Sequence, residues 1–478
     1  MMADMHIASR THIFVGGEWR EPSATDAIED VNPATERVIA TVPAGSPADI
    51  DIAVSAARAA ATGWAATEPA RRAAVLAAAR DELKARADDA AELIATELGA
   101  PLALAQRLHV ALPLTVLESF ATLAAEFAFT ENIGNSVVRA EPVGVVGAIT
   151  PWNYPLHQIV AKVAAALAAG ATVVLKPAED TPLVAYLLAD VMTAAGLPPG
   201  VLNVVSGTGT VAGQALVEHP DVDMISFTGS TAVGQRIGAI AGGALKRVAL
   251  ELGGKSANVI LPGADLAKAV KVGVGNAFLN AGQTCSAWTR MLVHESMYDD
   301  AVALAADAAG KYPTGDPFDA ATRIGPLVAD RQRTRVRDYI DVGVAEGARL
   351  VTGGAAPPDG RDVGYFVRPT VFADVRPDMR IAQEEIFGPV LSILRYRDED
   401  EALAIANGTK YGLAGGVWAA DSDTAATFAA RMRTGQVDIN GGAFNPVAPF
   451  GGFKSSGVGR ELGHHGLAEF LQYQSQQF

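Results

Sequence analysis

Val145-Val-Gly-Ala-Ile-Thr150, Thr172-Val-Val-Leu175, Leu202-Asn-Val-Val205, Asp223-Met-Ile-Ser-Phe227 and Arg247-Val-Ala-Leu250 are five short apolar runs recurring through one stretch of the chain. Between them lie segments of helical length and pattern, about 154–169, 182–196, 210–218 and 230–241. Short apolar strands alternating with helices require crossover connections, so the strands run parallel and are buried on both faces. The stretch predicts a doubly wound α/β sheet. Ligands of such sheets bind beyond the carboxyl ends of the strands, where Asn153, Lys176, Ser206, Thr228 and Glu251 fall.

Working outward, residues 12–45 read as a hairpin region, with His12-Ile-Phe-Val15, a Gly16-Gly17 turn and Glu18-Trp19. Amphipathic helices are expected from Pro47 to about Leu98 and again over 101–128. A second α/β portion runs from about 255 to 447, with helices near 264–280, 297–310 and 328–346 and a strand at Val390-Leu-Ser-Ile-Leu394. The last nine residues, Phe470–Phe478, carry no charged side chain and read as a strand. An uncharged terminal strand invites pairing, which predicts a subunit partner.

At 478 residues the chain exceeds a single hydrophobic core, and 49% hydrophobic with 19% charged residues is an ordinary folded composition. A net charge of −15 disfavours nucleic acid and anionic membranes as partners. One cysteine, Cys285, excludes an intrachain disulfide and a multi-cysteine metal centre, and the eight histidines contain no HxxxH or HxxH pair. The start, Met-Met-Ala-Asp-Met-His-Ile, lacks the basic residues and apolar core of a secretory signal. The apolar run Val163–Leu175 is 13 residues, short of the about 20 a spanning helix needs. A soluble, cytoplasmic chain with no metal is expected.

Cys285 sits in the polar, glycine-bearing Asn280-Ala-Gly-Gln-Thr-Cys-Ser286, and Glu251 opens Glu251-Leu-Gly-Gly-Lys-Ser256. A reachable thiol and a carboxylate on permissive backbone can serve as nucleophile and general base. Asn153, in Pro151-Trp-Asn-Tyr-Pro155, can join the Cys285 N–H in holding an oxyanion, or form an Asx turn between two prolines. Gly207-Thr-Gly209-Thr-Val-Ala-Gly213 misses the GxGxxG dinucleotide fingerprint by one residue. Phe227-Thr-Gly229-Ser230 suits an anion at a helix N-terminus, or a simple N-cap. Glu179, after Lys176-Pro-Ala, is placed to accept adenosine-ribose hydroxyls, or to begin a capped helix. Gly254-Lys255-Ser256 is no P-loop, because Ala249 stands where that motif needs glycine. A thiol hydrolase or acyl transferase that needs no nucleotide, and a catalytically idle scaffold, remain open at this level.

Taken in order, these pieces resemble the NAD(P)-dependent aldehyde dehydrogenase superfamily over nearly the whole chain. The likeness is carried by Val15-Gly-Gly-Glu-Trp19, Pro151-Trp-Asn-Tyr-Pro155, Lys176-Pro-Ala-Glu179, Phe227-Thr-Gly-Ser230, Glu251-Leu-Gly-Gly-Lys255, Gly282-Gln-Thr-Cys285, Glu384-Glu-Ile-Phe-Gly-Pro389 and Pro449-Phe-Gly-Gly-Phe-Lys-Ser-Ser-Gly457. The resemblance implies two doubly wound α/β domains, one nucleotide-binding (1–121 and 142–251) and one catalytic (252–447). A small β oligomerisation element (122–141 and 467–478) and a connecting segment (448–466) complete it.

The resemblance also implies roles. Cys285 would be the nucleophile, Glu251 the base that activates the hydrolytic water, Asn153 an oxyanion partner and Lys162 a proton relay. NAD, with NADP as the alternative, would meet Ile149, Thr150, Pro151, Trp152, Lys176, Glu179, Gly209, Gly213, Phe227, Gly229, Ser230, Leu252, Glu385 and Phe387. Phe444 and Phe450 would line the substrate entrance. Loop 441–448 has no Arg or Lys, which favours neutral aliphatic or aromatic aldehydes. Ala161 implies a wide tunnel, and His157 and Gln158 are expected to be ordinary helix-face residues. A homodimer or homotetramer is implied.

Overall fold

The structure, a computed structural model, describes residues 9–478. The five expected strands form at Val145–Ile149, Thr172–Lys176, Leu202–Val204, Met224–Thr228 and Arg247–Glu251. Side by side they run Arg247–Glu251, Met224–Thr228, Val145–Ile149, Thr172–Lys176, Leu202–Val204, all parallel. The winding direction reverses between Val145–Ile149 and Met224–Thr228, where a crevice opens at the carboxyl ends. Antiparallel strands extend both edges: the hairpin of Ile13–Val15 and Glu18–Arg20 beside Leu202–Val204, and Gly457–Val458 beside Arg247–Glu251.

All 15 residues of the Pro155–Ala169 helix are buried, so it is a core element without a solvent face. Pro155 suits its first turn, and Gly170, at φ 97°, ends it in a left-handed conformation that glycine adopts freely. Leu156, Ile159, Val160, Val163 and Leu167 are at most 1% exposed, each contributing ~1.5–3 kcal/mol by burial.

The helical stretch expected over 101–128 is Leu102–Leu104, a wide π turn at Ala105–Val110, and Ala111–Glu126. Pro113 explains the widening. It lacks an N–H, and in a regular helix its ring would press on the carbonyl four residues back, that of His109. Leu102–Glu126 is long and apolar enough to cross a membrane, but Val116, Leu117, Phe120 and Ala124 pack into the core.

A seven-stranded sheet forms the second α/β unit, in the order Arg349–Thr352, Thr370–Ala373, Val390–Tyr396, Arg290–His294, Ala257–Ile260, Gly415–Trp418, Asp438–Ile439. Only its first strand is antiparallel to its neighbour. The terminal strand expected from the sequence is Leu471–Gln477. It pairs along its length with Ser136–Pro142 of the same chain, which in turn pairs with Thr130–Ile133. One edge of Leu471–Gln477 is thus paired within the chain, and its outer edge carries no strand among the described residues.

Candidate active site

Cys285 lies on a loop whose backbone is held in an unusual state. Asn280 (φ 55°), Ala281 (φ 57°) and Gly282 (φ 73°) take left-handed conformations in succession. For a residue with a Cβ this costs ~1–2 kcal/mol. Side-chain hydrogen bonds hold the turn. Asn280 Nδ2 donates to Asn153 O (2.8 Å), Gln283 Nε2 donates to Asn280 O (3.2 Å), and Val328 N donates to Gln283 Oε1 (3.0 Å). A Cβ on Gly282 would lie 2.0 Å from Gly388 O, so only glycine fits there. The result is a half-buried thiol at a fixed position. Burial, then the nearby carboxyls of Glu251, Glu385 and Glu461, push that thiol well above its ordinary range.

Asn153 is buried at the start of the long buried helix, and its Nδ2 donates to Gln283 O (3.0 Å). A side-chain amide has two N–H groups, so one is committed to the Cys285 loop and one remains. The loop also packs on the chain after Glu251, where a Cβ on Gly254 would lie 2.3 Å from Cys285 O. The Cys285 loop, Asn153 and the Glu251 strand end thus converge at one sheet edge.

Glu251 ends Arg247–Glu251, is 4% exposed, and has no protein partner for Oε1 among the described residues. Burial raises its carboxyl well above the carboxylate range; Glu461 raises it further, and Lys162 lowers it. Lys162 Nζ donates to Thr228 Oγ1 (2.7 Å) and makes a short contact with Glu461. The sequence reading did not single out Glu461. Nothing in Arg460-Glu-Leu462 reveals it, because its partner is 299 positions away. Its backbone bridges Phe450 in both directions (2.7 and 2.8 Å). Phe450 is buried and Phe444 exposed, with their rings edge to face at 5.9 Å.

Comparison with known proteins decides the family. A family model described as the aldehyde dehydrogenase family matches residues 19–476. The chain belongs to the aldehyde dehydrogenase family. It is 47% identical to a 3-succinoylsemialdehyde-pyridine dehydrogenase of a Pseudomonas species, over 96% of each chain. Its fold matches an aldehyde dehydrogenase C mutant from Pseudomonas syringae, crystallised with NAD+ and octanal, at TM-score 0.98 and 46% identity, covering 99% of each chain. A Mycobacterium tuberculosis aldehyde dehydrogenase complexed with NAD+ matches at TM-score 0.97 and 48% identity, covering 98% of each. The fold expected from the resemblance is therefore that of this chain.

The residues expected to meet the nucleotide's ribose gather past the carboxyl end of Thr172–Lys176, without the usual fingerprint. Lys176 Nζ donates to the carbonyls of Pro177 (2.5 Å) and Gly207 (2.8 Å), and burial lowers its pKa to about 8. Glu179 accepts from the N–H of Gly209, and Gly213 packs beside the Lys176 stem. The near-miss glycine run thus lies against the two residues read as ribose contacts. Thr150 is buried, with its Oγ1 unpaired among the described residues; Ile149, before it, is in register with Lys176.

Ser230 Oγ accepts from Val233 N (3.4 Å), so its hydroxyl serves as the N-cap of Thr231–Gly243. Gly229 N donates to Glu251 O (3.0 Å); any Cβ there would strike the Phe227 ring at 2.5 Å. Leu252 packs closely on Gly234. Glu385 accepts from Gly254 N (2.9 Å), and burial raises its pKa to about 7. Phe387, at φ 66°, meets Trp152 (next to Pro151) edge to face at 5.3 Å.

Proposed function

We propose that this chain oxidises an aldehyde to the carboxylic acid, using Cys285 as nucleophile and NAD as hydride acceptor. The convergence of the Cys285 loop, Asn153 and Glu251 at one sheet edge carries the reading. In the first step the Cys285 thiol loses its proton to solvent, and the thiolate sulfur attacks the carbonyl carbon, sending the C=O π pair to oxygen to form a thiohemiacetal oxyanion. The free N–H of Asn153 and the Cys285 backbone N–H hold the oxygen. NAD, when bound, accepts the hydride. Cys285 then carries a thioester, and Glu251, deprotonated, takes a proton from water as its oxygen attacks the acyl carbon; the C–S bond breaks, releasing the carboxylic acid and returning Cys285 as the thiolate. Lys162 and Glu461 form the buried path by which that proton leaves. A carboxyl raised by burial is suited to the base role, because its pKa moves toward neutral pH.

The residues present fit the cofactor. An unpaired Thr150 hydroxyl, the Gly229 turn and the Glu179 carboxylate each follow the carboxyl end of a parallel strand. A carboxylate near an adenosine ribose accepts its two hydroxyls and repels a 2′-phosphate, which supports NAD over NADP. Trp152, Lys176, Leu252, Glu385 and Phe387 complete this set. The relatives' names, a pyridine-bearing semialdehyde and octanal, support neutral aliphatic or aromatic aldehydes as the substrate class. Phe444 and Phe450 supply the apolar entrance. The outer edge of Leu471–Gln477, with Tyr473 and Phe478 exposed, supports a homodimer or homotetramer, which sedimentation of the purified protein would measure.

Following NADH absorbance with NAD and a panel of propanal, octanal and benzaldehyde tests the reaction. Time-dependent NADH with at least one member is expected; none with any would overturn the reading.

A further inference from the structure

The helix Asp330–Ala345 opens Asp330-Arg-Gln-Arg-Thr-Arg-Val-Arg337, with arginine at every second position. On a helix such a run divides into two faces, Arg331 with Arg335 and Arg333 with Arg337. The two faces are used differently. Arg333 reaches Glu36, Asp330 and the Gly364 carbonyl, and Arg337 donates to Phe366 O (3.3 Å), so this pair ties the helix down. Arg335 Nη2 donates to Glu385 O (2.6 Å). Arg331 Nη1 donates to Asp180 Oδ1 (2.9 Å), and its Nη2 donates to Asp180 Oδ2. One turn of helix thus joins Glu385, an expected cofactor contact, to the residue after Glu179, the expected adenosine-ribose contact. Arg331 belongs to the second α/β unit and Asp180 to the first, so the ion pair crosses from one to the other.

Lys176, Glu179, Asp180 and Arg331 meet at this turn. Lys176 is buried, and its Nζ is committed to the carbonyls of Pro177 and Gly207. Glu179 accepts from Gly209 N. The Arg331 side chain is 57% exposed against 17% for Asp180, so its guanidinium is the cation at the turn that a ligand can reach. Hydrogen bonds from Asp180 first, and the charge of Glu179 after them, stabilise its charged form. The N–H fork that grips a carboxylate fits a phosphate equally well. An exposed ion pair contributes little net, so exchanging Asp180 for a phosphate costs little. NADP differs from NAD by one such phosphate, on the adenosine 2′ position, which Glu179 repels and a nearby arginine accommodates.

We propose that Arg331 and Asp180 together set how strictly this chain prefers NAD. The Arg331 guanidinium attracts the 2′-phosphate of NADP and offsets the repulsion from Glu179, while Asp180 competes for the same guanidinium. The ion pair is thus a specificity element supplied by the second α/β unit to a nucleotide held by the first. This rests on the placement of the adenosine ribose at Lys176 and Glu179 proposed above.

Calorimetric titration of the full chain with NAD and with NADP, at low salt where exposed charges are least screened, tests this. The ratio of the NADP Kd to the NAD Kd is expected to rise about 5- to 20-fold in Arg331→Gln. In Asp180→Asn, which frees the guanidinium, it is expected to fall about 5-fold. Arg331→Lys keeps the charge and should recover most of the loss. NAD binding by each variant shows that it is folded. A strap that merely joined the two units would act on both nucleotides alike, and either substitution would cut it in the same way. Ratios within twofold of wild type in Arg331→Gln and Asp180→Asn, or shifts of one sign in the two, would therefore overturn the proposal. NAD binding with no NADP binding in wild type and Asp180→Asn alike would overturn it as well. If neither nucleotide binds the wild type, the cofactor reading itself fails and the proposal falls with it.

Discussion

The proposed nucleophile and the proposed base are held by opposite means. Cys285 stands on a loop in strained left-handed backbone, fixed by side-chain hydrogen bonds from Asn280 and Gln283. Glu251 stands at the end of a regular parallel strand, and charge surrounds it: Lys162 and Glu461, both buried. Geometry places the atom that must strike a carbon at one angle. Electrostatics sets the protonation of the carboxyl proposed to activate water, with burial raising it first, Glu461 raising it further and Lys162 lowering it. Substitutions should therefore act through position on one side and through protonation on the other.

The largest effect is expected at the sulfur. Cys285→Ala should lower kcat by about 10⁴-fold or more while NAD still binds, as fluorescence titration would show. On the same side, Asn153→Ala removes an oxyanion donor and an anchor of the loop, so kcat should fall by about 10²–10³-fold. A loss below tenfold would mean that the amide only supports the loop.

On the other side the signature is pH. Lys162 lowers the Glu251 pKa and Glu461 raises it. Glu461→Gln should therefore shift the acidic limb of the kcat profile to lower pH, and Lys162→Met should shift it to higher pH. Lys162→Met also leaves Glu461 buried without its partner, a destabilisation of about 3–5 kcal/mol measurable by urea unfolding. Shifts of one sign in both variants would break the contrast.

The thiol provides a milder check. Its pKa is raised, so the thiolate is scarce at pH 7, and iodoacetamide should label Cys285 slowly, about tenfold faster per pH unit upward. Glu251→Gln removes a repelling charge and should speed labelling at fixed pH. The smallest effect is expected at Ala281→Gly. Relief of left-handed strain, less the entropy glycine loses on folding, should stabilise the protein by ~0.5 kcal/mol. A loss of stability there would mean that the turn is not strained.

The parallel sheet was legible because its signal is local. Five apolar runs with helices between them declare themselves residue by residue, and the strand ends then place Asn153, Lys176 and Glu251 at one edge. Cys285 and Glu251 stood out by their glycine-rich surroundings. Glu461 did not, because its meaning comes from Lys162, on a helix about 300 positions earlier. The terminal strand declared itself as a strand, and its pairing with Ser136–Pro142 joins the two segments that the resemblance grouped as one β element.

The central claim is that acyl transfer to sulfur and its hydrolysis are separate acts of separate residues. Glu251→Gln, mixed with NAD and aldehyde and quenched within seconds, tests this in one intact-mass spectrum. The account predicts one acyl group on the Cys285-bearing peptide, with about one NADH per site released in a burst and little thereafter. Steady turnover at the wild-type rate with unmodified Cys285 would contradict it.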